Sequence, residues 1–439
     1  MNSISRVPDC LSDLKPYIET KEQLVYVFGA DIAGKIVLKL LQHDLIQVEA
    51  FIDNNKNKCV YPIDNVRVLH AKEAFETIGK DSIILIASTY ISDIIRQLED
   101  AGFYNWAPIV GFLDSLDEDS IRSLLAGDLR RNHSGGEFTK DFDVFVIQNM
   151  LNSQRKYLDP NQLYIRSIDL VITEKCSLKC IDCSNLMQYY ETPIDIATQE
   201  LIDDLDDICS IADEINEIRI IGGDPFVNKS FDLIVRHAVE KNNVNKVVVY
   251  TNGTISPPEH KLLYLKHPKV FVFITTYGSL SRNSDKLVIA LEALGIAYNR
   301  QPAYGWTDCA SISPHQRSDT EQEHLFRNCC AKHFTTITDG KVFRCPFGAN
   351  IHRLEASPYI PDDFVNIRSA RSLSVEQSLK LKSHLRWYLR EKSFVKVCDF
   401  CNGRTYGDPE ITPGVQTKKP LHYVKFPISD VIKQKKVSL

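Results

Sequence analysis

The sequence predicts an α/β protein in which parallel strands alternate with helices along the chain. Short buried-strand patterns recur, and most of them lead into runs with helical periodicity. Glycine-rich or polar turns follow several strands, which is where α/β folds place functional loops. The 439 residues, 44% of them hydrophobic, suffice for two or three domains with packed cores.

Composition excludes some classes of protein. The net charge of −5 is small for this length, so no nucleic-acid partner or polybasic membrane patch is indicated. No signal-peptide pattern opens the chain, and no uncharged apolar run reaches the roughly 18 residues of a membrane span. We therefore expect a cytoplasmic protein. There the twelve cysteines stay reduced, so clustered ones are expected to hold metal.

The first domain is expected over residues 1–125. A strand pattern at 24–28 leads to a glycine turn, a helical run and a second strand that ends in Asp53. Strand, glycine turn, helix, strand and acid form the layout of a dinucleotide-binding unit. A third strand (82–87) and a helix (92–101) complete an open parallel sheet.

This stretch resembles the Rossmann-like domain that is often fused to polysaccharide and sugar-nucleotide enzymes. The resemblance implies that Gly29, Gly34 and Asp53 bind a nucleotide, or the nucleotide moiety of a substrate. Asp31 stands where the second glycine would be, and its carboxylate would repel a pyrophosphate. A packing or recognition domain without a ligand is therefore the alternative. A linker and helix are expected over 126–160, with polar composition at 130–140 that is typical of solvated connections.

The loop at 176–183 carries Cys176, Cys180 and Cys183 shortly after the apolar run 168–172. Three thiolates at this spacing can bind three irons of a four-iron cubane and leave the fourth iron open. A zinc knuckle is the alternative. A closed zinc site needs four nitrogen or sulfur ligands, and no fourth Cys or His lies within about ten residues.

A three-cysteine loop of this spacing after a strand resembles the radical S-adenosylmethionine (SAM) superfamily. The resemblance implies a 4Fe-4S cluster whose open iron is chelated by the amine and carboxylate of SAM. It implies cleavage of SAM to a 5'-deoxyadenosyl radical that abstracts hydrogen from substrate, with an electron donor such as flavodoxin or ferredoxin. A partial (β/α)6 barrel is implied over 161–310. Asp182 departs from the family, where this residue is usually apolar or aromatic.

Repeated βα units after the loop predict a parallel barrel with functional residues at the strand ends. Gly222-Gly223-Asp224-Pro225 resembles the family motif Gly-Gly-Glu-Pro. Its glycines let carbonyls approach a ligand, and its carboxylate suits the methionine amine of SAM, although alone it would be an ordinary turn. Further candidates for SAM oxygens, or simply strand-end caps, are Thr251, Asn252, Thr275 and Thr276.

A third segment, 311–410, carries the remaining clustered cysteines. Asp339-Gly340 between β-prone runs predicts a hairpin that brings Cys329 or Cys330 close to Cys345. With the later Cys398 and Cys401, this spacing resembles the twitch form of the SPASM extension. The resemblance implies a second, auxiliary 4Fe-4S cluster that acts as a relay or structural post. Structural zinc on the same thiolates is the alternative. The tail, 411–439, is predicted to be a surface segment.

The loop 304–309 offers a candidate substrate site. Its aromatic rings and Asp308 suit a sugar, although such loops are often only structural. Some radical SAM epimerases quench a substrate radical with a cysteine hydrogen atom. Cys309 is the candidate for that role, and a buried inert thiol is the alternative.

These features together predict hydrogen abstraction from a nucleotide-linked or polysaccharide-precursor sugar, for epimerisation or oxidation. A radical SAM peptide maturase is the second hypothesis, and it should have an N-terminal winged-helix domain. A zinc- and nucleotide-binding scaffold without catalysis is the third.

Overall fold

The structure is a computed structural model that describes residues 7–8, 10–113, 116–124, 137–138, 140–157, 159, 161–405 and 408–426. It divides into two compact units, Met1–His133 with Phe138–Gln162 and Ser134–Glu137 with Leu163–Leu439. Most of the predicted linker at 130–140, and the basic end of the tail at 433–436, lie outside the described residues. Within the described ranges, no helix combines the length and apolarity that a bilayer crossing requires.

The first unit is built on a five-stranded sheet in which every strand pair is parallel. Its strands are β1 (Val25–Phe28), β2 (Val48–Asp53), β3 (Val68–His70), β4 (Ile83–Ile86) and β5 (Trp106–Pro108). They lie in the order β3-β2-β1-β4-β5, the order of a dinucleotide-binding sheet. The predicted open parallel sheet is confirmed.

Each face of this sheet packs into a hydrophobic core. Successive strand residues point to opposite faces, so neighbouring residues enter different cores. Ile83 and Leu85 pack into one core, whereas Ile84 and Ile86 pack into the other. The helices of the unit are α1 (Leu11–Lys21), α2 (Ile32–His43), α3 (Ala71–Thr77), α4 (Ile91–Asp100), α5 (Val110–Leu113), α6 (Glu118–Leu124) and α7 (Lys140–Tyr157).

A nine-stranded sheet is the frame of the second unit, in the order β14-β13-β12-β7-β8-β9-β10-β11-β6. Its strands are β6 (Glu137–Phe138), β7 (Tyr164–Thr173), β8 (Glu214–Gly222), β9 (Val244–Thr251), β10 (Val270–Thr276), β11 (Tyr298–Pro302), β12 (Thr335–Thr338), β13 (Lys341–Phe343) and β14 (Phe364–Asn366). The strands from β7 to β11 are parallel in chain order, and β12 lies parallel beside β7. The predicted α/β class is confirmed.

Helices connect the parallel strands and cover one face of the sheet, where Ile218, Val247 and Val272 pack into the largest core. The connecting helices are α8 (Thr198–Ile211), α9 (Phe231–Val239), α10 (Glu259–Leu262) and α11 (Ser284–Leu294). Three more follow: α12 (Asp319–Asn328), α13 (Pro346–Arg353) and α14 (Val375–Arg390). Because β7 to β10 are parallel, their carboxyl ends lie along one edge of the sheet, and the predicted site residues follow those ends.

The predicted hairpin is also present. Strands β12 and β13 pair antiparallel, and the turn residues Asp339 and Gly340 have φ angles of 54° and 70°. Two consecutive positive φ angles are typical of the two-residue turns that join hairpin strands.

Candidate cluster and cofactor site

The two glycines after β8 press directly on the backbone that leads into the three-cysteine loop. A Cβ on Gly222 would lie 2.1 Å from the carbonyl oxygen of Thr173, and one on Gly223 would lie 2.0 Å from that of Lys175. The amide of Gly223 donates to the Thr173 oxygen at 2.8 Å, and that of Asp224 donates to the Lys175 oxygen at 2.9 Å. Only glycine fits at these two positions, so the end of β8 clamps the start of the cysteine loop.

Asp224 is completely buried and joins the ends of β8 and β9. Its carboxylate accepts hydrogen bonds from the amides of Phe226 and Asn252, each at 3.0 Å, and from the Thr251 hydroxyl at 2.9 Å. Burial raises the pKa of Asp224, and these hydrogen bonds act in the opposite direction. Both carboxylate oxygens are engaged by the protein, so the contact between Asp224 and the SAM amine stays a prediction.

Each sulfur of the three-cysteine loop accepts hydrogen bonds from the protein. Cys176 Sγ accepts from the Leu178 amide and from Asn252 Nδ2, both at 3.4 Å. Cys180 Sγ accepts from the side-chain amide of Gln416 at 3.2 Å. Cys183 Sγ accepts from backbone amides at Met187 and Asn185. Hydrogen bonds of this kind orient the thiolate ligands of iron–sulfur clusters and stabilise their negative charge.

The three thiols lie close enough to affect one another electrostatically. Burial is the largest cause of the raised pKa of all three, and it raises the pKa of Cys183 to about 11. Neighbouring thiolates in the loop raise the pKa of Cys176 and Cys183 further. Buried thiols of this kind ionise readily when a metal supplies positive charge, so this donor set fits an iron–sulfur cluster. Among the described residues, no group of three or more His, Cys, Asp or Glu is arranged to hold a single metal ion.

An aromatic pair lies beside the cysteine loop. Burial and then the thiolates of Cys180, Cys183 and Cys176 raise the pKa of Tyr277, which follows β10. The ring of Trp306 meets the Tyr277 ring edge-on, with centroids 5.8 Å apart. The predicted substrate loop at 304–309 therefore reaches the same edge of the sheet as the cysteines.

The Asp308 carboxylate of this region acts on that of Asp182. Burial and then Asp308 raise the pKa of Asp182, the residue that departs from the family pattern. Tyr304, in the same loop as Asp308, leaves 54% of its surface exposed. The edge of the sheet next to the cysteine loop thus carries acidic groups and accessible aromatic surface.

The remaining strand-end candidates differ in what they contact. Asn252 donates to Ser177 Oγ at 3.2 Å as well as to Cys176, so it braces the cysteine loop. Thr276 donates to the carbonyl oxygen of Gln301 at 3.3 Å, whereas Thr275 is half-buried at the same strand end. The structure brings all four strand-end candidates to one edge, and their contacts with SAM stay predictions.

A buried ion pair that sequence reasoning missed fixes the loop from the other side. Arg353 Nη2 contacts Glu174 Oε1 at 2.6 Å, and Arg353 Nη1 donates to the Thr338 hydroxyl at 3.1 Å. Glu174 directly follows β7, and its second oxygen accepts from the Ile194 amide at 2.9 Å. Arg353 ends α13, so this pair links the third segment to the residue that lies between β7 and the cysteine loop.

The later cysteines come together from separate elements. Cys329 ends α12, and Cys345 caps α13 by accepting from the Gly348 amide at 3.4 Å. Burial, with a smaller contribution from the Cys329 thiolate, raises the pKa of Cys345 to about 12. The same Cys329 thiolate raises the pKa of both members of the remaining pair, which are Cys398 and Cys401. These influences place the four thiols in one region, and an auxiliary cluster or a zinc ion on them stays a prediction.

The turn that carries this last cysteine pair is held by charged groups. Arg317 Nη1 donates to the carbonyl oxygens of Cys398 and Cys401, each at 2.9 Å. Asp363 accepts from the amides of Lys396 and Val397, each at 2.7 Å. These contacts hold the backbone of the turn that carries the two thiols.

Cys309 lies between the two cysteine groups. It is 8% exposed, and burial raises its pKa. Its thiolate contributes to the raised pKa of Cys183 in the first group, and Cys329 of the second group contributes to its own. The backbone oxygen of Cys309 also accepts from Cys401 Sγ at 3.8 Å. Its role as hydrogen-atom donor stays a prediction.

In the first unit, the predicted nucleotide residues contact one another. Asp53 accepts from the Ala30 amide at 2.9 Å, and Asp31 caps α2. Lys58 Nζ lies 2.9 Å from Asp31 Oδ2 and 3.4 Å from Asp53 Oδ2, so its single positive charge offsets part of the charge of the two carboxylates. A Cβ on Gly34 would lie 2.1 Å from the oxygen of Gly29, and one on Gly29 would lie 2.2 Å from the oxygen of Ala87, so close packing explains both glycines. Nucleotide binding by Gly29, Gly34 and Asp53 stays a prediction.

Residues 170–278 match the family described as the radical SAM superfamily. The chain therefore carries a radical SAM domain, and the resemblance drawn from the three cysteines and Gly222-Gly223-Asp224-Pro225 is confirmed. The first unit matches a different family over residues 21–107, described as C2185-like, N-terminal.

Among curated proteins, the chain is similar to enzymes named GTP 3',8-cyclase. The relative from Syntrophomonas wolfei subsp. wolfei is 27% identical over 152 residues, which cover 31% of this chain and 45% of the relative. The relative from Rhizobium etli is 25% identical over 168 residues, or 34% of this chain and 47% of the relative. The chain thus spans less than half the length of these relatives.

Among solved structures, BtrN in complex with AdoMet and 2-DOIA aligns with 59% of this chain and 98% of its own, at 16% identity and a TM-score of 0.35. The structure of anSMEcpe with bound AdoMet covers 58% of this chain and 89% of its own, at 10% identity and a TM-score of 0.33. SuiB from Streptococcus suis, bound to S-adenosylmethionine, covers 36% of each chain at 14% identity and a TM-score of 0.26.

Proposed function

We propose that this protein is a radical SAM enzyme that holds a 4Fe-4S cluster on Cys176, Cys180 and Cys183. The observation that carries the proposal is a loop that holds one buried and two half-buried thiols near one another and is clamped by Gly222 and Gly223. Each sulfur accepts protein hydrogen bonds, which favours the thiolate form once iron is present.

When bound, the cluster and SAM supply a 5'-deoxyadenosyl radical that removes a hydrogen atom from the substrate. The protein's own contribution is to hold the ligands in place. Asp224 ties the ends of β8 and β9 together, and Asn252 braces Cys176. The pair formed by Glu174 and Arg353 fixes the start of the loop. These contacts are buried or half-buried, and they hold the strand ends and the cysteine loop in place.

The proposed substrate is a carbohydrate, either a nucleotide-linked sugar or a polysaccharide precursor. Its support is the loop 304–309, in which Trp306 packs on Tyr277 beside the cysteines and Tyr304 remains exposed. Aromatic rings stack on the apolar face of a sugar, and carboxylates such as Asp308 accept hydrogen bonds from its hydroxyls.

Cys309 is the proposed hydrogen-atom donor for epimerisation. In this step the Cys309 S–H bond breaks, a C–H bond forms on the substrate radical, and the sulfur is left as a thiyl radical. One electron from an external donor such as flavodoxin or ferredoxin, together with one proton, restores the thiol. Its position between the two cysteine groups supports this role.

We further propose that the second cysteine group holds an auxiliary 4Fe-4S cluster, with structural zinc as the alternative. The peptide-maturase hypothesis predicted a winged-helix domain at the N-terminus. The five-stranded parallel sheet of the first unit does not favour it.

The substrate proposal is tested with a panel of sugar nucleotides, SAM and a low-potential reductant in deuterated water. We expect 5'-deoxyadenosine to form with at least one sugar, and one deuterium to appear in the product. The Cys309→Ala variant should still form 5'-deoxyadenosine but should place no deuterium. The matched control is Cys209→Ala, an isolated cysteine on α8.

Two results would contradict the proposal. If no sugar supports 5'-deoxyadenosine formation above the level without substrate, the carbohydrate class is wrong. If Cys309→Ala takes up deuterium as the wild type does, Cys309 is not the donor.

A further inference from the structure

Residues 410–417, which we call the strap, form a short β-like pairing with the three-cysteine loop. The Ile181 amide donates to the Val415 oxygen at 2.7 Å, and the Thr417 amide donates to the Lys179 oxygen at 2.8 Å. Cys180 and Gln416 face each other in this antiparallel bridge. The sequence pattern predicts only a surface segment here, so the pairing is a new feature of the site.

The strap is held in place on both sides of this bridge. Before it, the Ile411 amide donates to the Trp306 oxygen at 2.8 Å. Beyond it, the Leu421 amide donates to the Gln188 oxygen at 2.9 Å. Gly414 has a φ of 75°, and a Cβ there would lie 2.7 Å from the Tyr277 ring. The strap therefore follows a path that requires glycine at its closest approach to the aromatic pair.

Among the described residues of the strap, Gln416 is the one whose side chain donates a hydrogen bond to a sulfur of the three-cysteine loop. Its Oε1 accepts from the Lys179 amide at 2.6 Å. Its Nε2 donates to Cys180 Sγ at 3.2 Å and to the Gly414 oxygen at 2.7 Å. Both partners fix the orientation of the amide, because a flipped amide would set its oxygen against the Gly414 carbonyl.

We propose that Gln416 is a positioning residue that tunes the cluster held by Cys180 and slows its loss. This inference rests on the proposed function. A reduced cluster carries one more negative charge than an oxidised one, and an N–H donor to a ligand sulfur stabilises that charge. Gln416 therefore makes the cluster easier to reduce. The strap also covers Cys180, which is 8% exposed, and so limits the access of water and oxygen.

Two substitutions separate the N–H donor from the pairing of the strap. Gln416→Glu keeps an oxygen that accepts from the Lys179 amide but removes the donor to Cys180. Gln416→Leu removes both contacts. The matched control is Val415→Ala, because the Val415 side chain is exposed and only its backbone oxygen holds the loop.

The experiment uses the full chain after anaerobic reconstitution with iron and sulfide. The reduction potential is measured by an electron paramagnetic resonance titration of the signal that changes on addition of SAM. We expect a more negative potential for Gln416→Leu and a still more negative one for Gln416→Glu, which adds a charge. Val415→Ala should match the wild type. Loss of the absorbance near 400 nm in air should be several-fold faster in both Gln416 variants.

Wild-type potentials in both Gln416 variants would overturn this inference. A shift in Gln416→Leu without one in Gln416→Glu would also overturn it, because the pairing rather than the N–H donor would then be responsible. If the wild type binds no cluster on this loop, its iron content reveals this before any titration, and the proposed function fails as well.

Discussion

Cys329 and Cys330 are neighbours in the sequence, yet their surroundings differ. The Cys329 thiolate raises the pKa of Cys345, Cys398 and Cys401, which places it among the other three. Burial, with smaller contributions from the Cys329 and Cys309 thiolates, raises the pKa of Cys330 to about 11. The Cys330 amide donates to the Arg404 oxygen at 2.8 Å. We therefore predict that Cys329, rather than Cys330, joins Cys345, Cys398 and Cys401 in the proposed auxiliary site.

This assignment predicts unequal effects of two adjacent substitutions. Cys329→Ser should lower the iron content by about four atoms per chain, because it removes one of the four thiolates that this assignment gives to the auxiliary cubane. Cys330→Ser is the matched control and should keep wild-type iron. Iron and sulfide analysis after anaerobic reconstitution measures both. Equal iron loss in the two variants, or loss in Cys330→Ser alone, would contradict the assignment.

At the residue scale, local spacing was enough to predict the three-cysteine loop but not its supports. The contacts of Gln416 with Cys180 and of Arg353 with Glu174 join residues 236 and 179 positions apart. No local pattern marks such pairs. Asp224 was predicted from its motif as a SAM contact, and its engagement by Thr251 is visible only in the fold.

Among the elements, the turn after β8 makes the most restrictive contact. A Cβ on Gly223 would lie 2.0 Å from the Lys175 oxygen and 2.9 Å from the Cys176 amide nitrogen. Both atoms are backbone, so they yield only if the cysteine loop itself moves. The clamp formed by β8 and this loop therefore determines where Cys176 lies.

We accordingly expect Gly223→Ala to displace the loop, destabilise the protein by about 1–3 kcal/mol and reduce the iron bound by the loop. The control is Gly278→Ala, because Gly278 has a φ of 57° but no atom within 4 Å of a new Cβ. It should cost only about 1 kcal/mol and keep its iron. Denaturant unfolding and iron analysis check both. Full iron in Gly223→Ala would show that the clamp does not position the loop.

The sequence predicted most elements that carry continuous apolar patterns, and it missed the others for physical reasons. The predicted strand at 168–172 extends over Tyr164–Thr173 in the structure. Polar Ser167 and Asp169 interrupt the apolar pattern. Inside the unit, Asp169 Oδ1 forms an ion pair with Arg219 Nε at 2.9 Å. Strand β11 went unpredicted because its sequence is polar and ends in proline.

For the whole molecule, pattern and spacing predicted an α/β fold and the parallel sheet of the first unit, and the resemblance carried by the cysteine loop and Gly222-Gly223-Asp224-Pro225 implied the radical SAM domain. They did not predict that β12 would join the central sheet beside β7, because that pairing depends on residues far apart in the chain. The predicted five-segment division and the nucleotide site of the first unit stay predictions.

The central claim is that Cys176, Cys180 and Cys183 hold a cluster with one iron open to SAM. The most direct test compares the wild type with the triple variant in which all three become alanine. A matched triple variant replaces the isolated Cys10, Cys59 and Cys209 instead. Each is reconstituted anaerobically, analysed for iron and sulfide, reduced and examined by electron paramagnetic resonance with and without SAM.

We expect about eight irons per chain in the wild type and the matched variant, and a cluster signal that changes when SAM is added. The loop variant should keep about four irons, on the auxiliary cysteines, and its signal should not respond to SAM. An unchanged iron content and SAM response in the loop variant would contradict the account.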